Sequence, residues 1–178
     1  VICHIVNMTN ISLRRATEAD TPLIRQLAEL IWWEHYPSII SDAQIAFMLE
    51  LMYSNSALRQ QMEAEGQEFW LPVKNGQTLG FLAVSRKEEG DYFLHKFYLE
   101  PREKGHGTIV FELLLAQYPD LRGLRLRVNR RNFKSVNFYF KVGFRIEYCI
   151  DTPFGEEYVM DDFQMVFGQN KLTESARI

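Results

Sequence analysis

An α/β fold, built on a single mixed, mostly antiparallel twisted sheet with helices on both faces, is predicted by three features of the chain. Two apolar runs flank Asn75-Gly76, the strongest short hairpin signal a sequence carries. Residues 91–118 change from strand alternation to helical spacing inside the stretch PREKGHG. The elements then follow the order strand, helices, three antiparallel strands, helix, strand, helix, two strands. With 178 residues the chain is expected to form one domain over residues 8–169, with residues 1–7 and 170–178 as flexible ends.

Taken in order, residues 11–16 alternate Ile11 and Leu13 with polar residues and read as a first strand. Thr17-x-x-Asp20 resembles a capping box, and Pro22 suits a first helical turn. Ile24, Leu27, Leu30 and Ile31 give the buried stripe of that helix, which closes in an aromatic cluster, Trp32, Trp33, His35 and Tyr36, before Pro37. Ser41 opens a second helix with Ile45, Met48, Leu49 and Met52 on one face, and a third spans 57–65. Strands at 69–74 and 78–86 make the Asn75-Gly76 hairpin, and Pro72 assigns the first of them to an edge or a bulge.

Residues 91–99 are apolar on both alternating faces, Phe93, Phe97 and Leu99 on one and Tyr92, Leu94 and Tyr98 on the other, as a central strand requires. Beyond Gly107, Val110, Leu114 and Tyr118 fall four apart with Leu113 in the same stripe. Leu124, Leu126 and Val128 define the next strand. Asn132 or Ser135 opens a last helix carrying Val136, Phe138, Tyr139 and Val142, and Gly143 ends it. Residues 145–150 and 161–167 close the chain as antiparallel strands.

The strand-to-helix junction has a chemical use. A helix start exposes unpaired N–H groups and the positive end of its dipole, so phosphate is its natural guest. Gly105 and Gly107 let the backbone bend there, while Arg102, Lys104 and a protonated His106 add positive charge against Glu103. A dinucleotide loop would need glycine where Val110 stands, and a Walker loop would need Lys-Ser/Thr where Thr108-Ile109 stands. What remains is Arg-x-x-Gly-x-Gly between a strand and a helix.

Composition sets outer bounds. A net charge of -3 gives no electrostatic case for nucleic acid or a membrane surface, and no apolar run approaches the ~18 residues of a membrane span. Cys3 and Cys149 have neither metal-ligand nor disulfide-framework spacing, which points to a reduced, cytoplasmic setting.

Arg102-x-x-Gly105-x-Gly107 resembles the acetyl-CoA pyrophosphate loop of the GNAT N-acetyltransferase family, and the element order is the family's order. A second stretch, LRVNRRNFKSVNFYFKVGF at 126–144, matches a further family segment at Asn132, Phe138, Tyr139, Gly143 and Phe144. IDTPFGEEYVMDDFQM and IWWEHYPSII resemble a bacterial group that includes polyamine acetyltransferases, although Glu157 replaces a glycine common there.

The resemblance implies an enzyme that transfers acetyl from acetyl-CoA to a primary amine, a small cationic amine or polyamine, in a ternary complex and without a metal. It implies that the main chain of Phe97, Tyr98 and Leu99 holds the pantetheine arm. The pyrophosphate would rest on Lys104, Gly105, His106, Gly107 and Thr108, with Arg102 adding charge. Asn132 would hold the cofactor or an ordered water, and Tyr139 would be the general acid. His95, with an ordinary pKa near ~6.5, is a candidate base. Trp33, His35 and Tyr36 are candidates for the acceptor pocket, as is Asp161 among the carboxylates Asp151, Glu156, Glu157, Asp161 and Asp162, which favour a cationic acceptor. Homodimers are common in the family. The rival readings are an acyl-CoA-binding regulatory module without turnover, and an enzyme with a protein or RNA acceptor.

Overall fold

The computed structural model describes residues 10–102, 105–154 and 158–168. Among them are eight strands of a mostly antiparallel sheet and five α-helices. The chain divides into two compact units, Val1–Arg86 with Leu94–Pro119, and Lys87–Phe93 with Asp120–Ile178.

In the first unit β1 (Ile11–Arg15) pairs antiparallel with β2 (Glu68–Lys74) in a register running from Ile11↔Lys74 to Arg15↔Trp70. The Thr17 N–H donates to the Asp20 carboxylate at 2.8 Å, as a capping box requires, but the box closes a single 3-10 turn, Glu18–Asp20, ahead of α1 (Thr21–His35). Ile24, Leu27, Ala28, Ile31 and Trp32 make the buried stripe of α1. Leu30 was expected in that stripe and instead stands 45% exposed, because Ala28 and Trp32 are the stripe's one-turn partners. Ser41 caps α2 (Asp42–Tyr53) by accepting the Gln44 N–H, and α3 covers Asn55–Glu63, starting two residues earlier than expected because Ser54 is its cap.

Asn75 and Gly76 take φ of +50° and +80°, the pair of left-handed conformations that a two-residue hairpin turn needs. The strand expected at 78–86 is two pieces, β3 (Gln77–Thr78) and β4 (Gly80–Glu88), both paired with β2. Pro72 is therefore not on an edge strand: Leu13 of β1 lies opposite it. It marks a bulge instead. From Trp70↔Leu82 to Val73↔Thr78, β2 advances three residues and its partner four. The Leu79 N–H bonds to the Pro72 carbonyl at 2.8 Å, so the missing proline donor faces the slip, where no regular ladder bond is lost.

β5 (Asp91–Leu99) buries Tyr92, Leu94 and Lys96 on one face, leaving Phe93, His95 and Phe97 half-buried on the other. α4 (Gly107–Leu115) buries Val110, Phe111 and Leu114. It stops before Tyr118, which was expected to continue its stripe. Tyr118 lies past the helix end, where its hydroxyl accepts from Trp70 Nε1 at 2.9 Å and donates to Glu68 at 2.8 Å.

In the second unit β6 (Gly123–Asn129) turns its Leu124, Leu126 and Val128 inward, and α5 (Phe133–Lys141) buries Val136 and Tyr139. Gly143, at φ +102°, ends that helix, and the following Phe144 N–H bonds back to Tyr139 O at 2.9 Å. β7 (Arg145–Phe154) and β8 (Tyr158–Gly168) form a longer hairpin than their apolar content suggested. β8 lies between β6 and β7, paired with both from Arg125↔Val166 and Arg145↔Val166 onward.

Candidate functional site

In the first unit the residues that matter cluster around the end of β5 and the start of α4. His106 is the N-cap of α4, and its carbonyl takes the first helical bond, from the Val110 N–H at 2.9 Å. The N–H groups of Gly107, Thr108 and Ile109 precede that bond and stand outside the helical ladder. Gly105 has φ +86°, and a Cβ there would meet no heavy atom within 4 Å, so open space adjoins the turn. Arg102 is exposed, and Lys104 lies outside the described residues.

A cation that sequence reasoning missed completes this loop. Lys74, at the end of β2, places Nζ 3.1 Å from His106 Nε2. An ammonium donates, so Nε2 accepts and the imidazole proton is assigned to Nδ1. Lys74 thus brings a positive charge to the loop. Nothing in the order of residues pairs a hairpin lysine with a loop 32 positions on; the contact exists only in the folded chain.

The end of β5 is held close to β4 by another unanticipated residue, Gly80. A Cβ on Gly80 would collide with the Tyr98 carbonyl oxygen and lie 2.8 Å from Leu99 Cα. The Glu100 N–H bonds to Leu79 O at 2.8 Å, fixing the strand end in this position. A lone glycine inside a strand pattern is the sequence signal for such an approach. The backbone of Phe97 to Leu99, the expected seat of the pantetheine arm, is thus set by a site with no room for a side chain.

Of the expected acceptor residues, Tyr36 is buried and its hydroxyl lies 3.2 Å from that of Tyr98. Its ring packs on Trp32 at 4.4 Å and edge-on to His35 at 5.0 Å. Trp32, Tyr53, Phe81 and Tyr98 continue the cluster, and burial pushes the Tyr53 phenol well above its ordinary pKa. Trp33 is exposed.

His95 is tied to a buried partner, with Nε2 2.8 Å from Ser85 Oγ. The adjacent Lys96, unremarked in the sequence because it interrupts an otherwise apolar strand, is 6% exposed. Its ammonium donates to Gln61 Oε1 at 2.6 Å and Gln67 Oε1 at 3.1 Å, over the rings of Phe69 and Tyr53. Burial holds its pKa down to about 7, with Glu65 acting weakly the other way.

The second unit carries the other expected residues. Asn132 caps α5 by accepting the Ser135 N–H at 3.2 Å. Tyr139 is buried, with its ring 5.5 Å from Phe138 and 5.4 Å from Phe144. Asp161 accepts from Asn129 Nδ2 at 2.7 Å and lies 3.8 Å from Arg131. Its neighbour Asp162 is buried, and burial pushes its pKa up to about 6. Glu156 and Glu157 lie outside the described residues. Among the described residues no cluster of three His, Cys, Asp or Glu is placed to hold a metal ion, and no helix is long and apolar enough to cross a membrane.

An uncharacterised N-acetyltransferase of Mycobacterium tuberculosis is 26% identical to this chain over 114 residues, 62% of this chain and 73% of that protein. The crystal structure of the PaiA N-acetyltransferase of Thermoplasma acidophilum, in complex with coenzyme A, superposes with a TM-score of 0.72 at 24% identity, covering 89% of this chain and 99% of that one. The spermidine N-acetyltransferase of Vibrio cholerae, in complex with CoA and spermine, has a TM-score of 0.61 at 15% identity, with coverages of 89% and 95%. At these identities the two structures establish likeness of fold. The family described as "Acetyltransferase (GNAT) domain" matches residues 38–154, about two thirds of the sequence, and with the mixed sheet and the motif at the head of α4 this makes the chain a member of the GNAT family of N-acetyltransferases.

Proposed function

We propose that this protein transfers the acetyl group of acetyl-CoA to a primary amine, a small cationic amine or polyamine, by direct attack in a ternary complex. The observation that carries this reading is the junction of β5 and α4. The N–H groups at the head of α4, the open space at Gly105 and the Lys74 ammonium beside His106 suit a pyrophosphate. The strand end fixed by Gly80 suits a pantetheine arm bound through main-chain atoms. Support for the amine acceptor comes from the Vibrio cholerae neighbour, a spermidine N-acetyltransferase in complex with CoA and spermine.

In the proposed reaction the amine nitrogen forms the new C–N bond as the thioester C–S bond breaks, and the departing thiolate takes a proton. Tyr139 is assigned that proton by its place in the family motif. Asn132 fixes the start of the helix that carries Tyr139. The amine must lose its proton before attack, and His95, its ring anchored on Ser85, is the assigned acceptor in this reading. Tyr36 and His35 are assigned to the acceptor pocket. A cytoplasmic setting accords with two cysteines that lack a framework spacing.

The test is thiol release from acetyl-CoA against polyamines, aminoglycosides, amino acids and short peptides, for wild type and Tyr139→Phe. Amine-dependent release that falls roughly a hundredfold in the variant supports both the reaction and the proton donor. Release unchanged by the variant removes the role of Tyr139. Tight acetyl-CoA binding with no release from any acceptor would instead mark a non-catalytic binding module.

A further inference from the structure

Among the described residues, three buried side-chain atoms have no hydrogen-bond partner: Trp32 Nε1, Arg130 Nε and Asp162 Oδ1. The carboxylate is the costliest of these to leave unmet, since a buried charge without a partner loses its hydration for nothing. Asp162 lies in the middle of the second unit's strands, opposite Asn129 of β6 and Ile150 of β7, and is 7% exposed.

Cations are near, and each makes a contact with another oxygen. Arg127 donates to Gln164 Oε1 and Thr152 Oγ1, both at 3.4 Å. Arg130 pairs with Asp151, and Arg131 faces Asp161, which also accepts from Asn129. The three guanidinium groups thus serve other oxygens, Arg130 with its own buried Nε left over, and Oδ1 of the most buried carboxylate of the group has no hydrogen-bond partner.

We propose that Asp162 is a cation-binding subsite that receives an ammonium group of the amine acceptor, with Asp161 and Asp151 adding to the negative potential around it. The proposal rests on the amine-acetyltransferase reading above and names the residue that selects a cationic acceptor. A single orphaned oxygen fits one N–H donor better than a metal, which needs several ligands. The pKa agrees: burial is the largest cause raising it, Asp161 and Asp151 push the same way, and Arg127 and Arg130 oppose them, leaving a carboxylate that is ionised at neutral pH yet poorly compensated. The surrounding turn also belongs to the family motif. The Asn132 N–H bonds to Asn129 O at 2.9 Å, so the strand position facing Asp162 leads directly into the cap of the helix that bears Tyr139.

The experiment uses Asp162→Asn, which keeps the shape and removes the charge, with spermidine as acceptor. The expected result is a KM for spermidine raised roughly tenfold or more, as loss of a charged hydrogen bond implies, with the KM for acetyl-CoA within about twofold. Asp162→Glu recovers part of the spermidine affinity. The ligand-free melting temperature of Asp162→Asn near neutral pH is equal to or above wild type, because an uncompensated buried charge has gone. An unchanged spermidine KM overturns the proposal. So does a lower melting temperature of Asp162→Asn, which would mean that Arg127 or Arg130 satisfies the carboxylate in solution. If wild type acetylates no amine, the reaction assignment fails, and spermidine binding followed by thermal shift decides the subsite alone. A shift present in wild type and absent in Asp162→Asn upholds it, while no shift in wild type overturns it.

Discussion

The Lys96 ammonium donates to Gln61 Oε1 at 2.6 Å inside the first unit, and the orientation of that glutamine is fixed from behind, since Gln61 Nε2 donates to Met52 O at 2.8 Å. Gln67 is set in the same way by its bond to Glu65 at 3.0 Å. Both amides are therefore turned to present oxygen to the lysine. Even so, burial holds the pKa at about 7 against an ordinary 10.5. Between those values the unfolded chain carries the proton and the folded chain does not, so stability rises with pH across this window and levels off above it. The slope from this one group approaches about 1.4 kcal/mol per pH unit in mid-window. Denaturant unfolding of wild type and Lys96→Met from pH 7 to 10.5 checks this, with the variant expected to lose that slope. Equal slopes would mean that the ammonium is solvated in solution.

Gly80→Ala is expected to cost about 1–3 kcal/mol, because its Cβ must push the β5 backbone at Tyr98 and Leu99, which cannot yield as a side-chain end would. The same displacement moves the main chain assigned to the pantetheine arm. Calorimetric titration with coenzyme A is expected to show affinity reduced roughly tenfold, beyond what partial unfolding explains. Normal affinity in a destabilised protein would separate the glycine from the binding strand.

Lys74→Gln removes the positive charge beside His106 and keeps much of the side-chain length. Coenzyme A affinity is expected to fall roughly three- to tenfold at low salt, with a smaller difference at high ionic strength, as screening of a partly exposed charge requires. A loss that did not depend on salt would point to altered loop geometry and away from charge.

Tyr36→Phe deletes one partner of the Tyr36–Tyr98 hydroxyl contact. The expected cost is about 1 kcal/mol of stability, with a severalfold rise in the amine KM and an unchanged acetyl-CoA KM. Thermal unfolding and steady-state kinetics report the two effects separately, and an amine KM identical to wild type would confine Tyr36 to packing.

Where local chemistry decides an element, it was readable before the structure. The Asn75-Gly76 turn, the Ser41 and Asn132 caps and the Gly143 helix stop each depend on residues within a few positions of one another. The motif at the head of α4 belongs to the same class. Pairings across long separations were not readable. Neither Lys74 against His106 nor the close approach of Gly80 to Tyr98 leaves a local trace, apart from the glycine itself. The run of carboxylates in the terminal hairpin did not show which of them is buried, because strand alternation alone does not reveal that β8 has neighbours on both sides, which is what buries Asp162. Lys96 was hidden for the opposite reason: a cation in an apolar strand looks like a surface position until the two glutamines facing it are known.

The insertion of β8 between β6 and β7 also shapes how the protein is made. Synthesis delivers β6 first and β7 next, and until the chain has grown from Phe154 to Gly168 each lacks the strand that will lie between them. Nascent chains paused in that interval display two open hydrogen-bonding edges, the kind of surface that chaperones capture and that pairs wrongly with other chains. A premature stop before Tyr158 would remove an inner strand, so such products are expected to be cleared by proteases and not to accumulate as partly active enzyme.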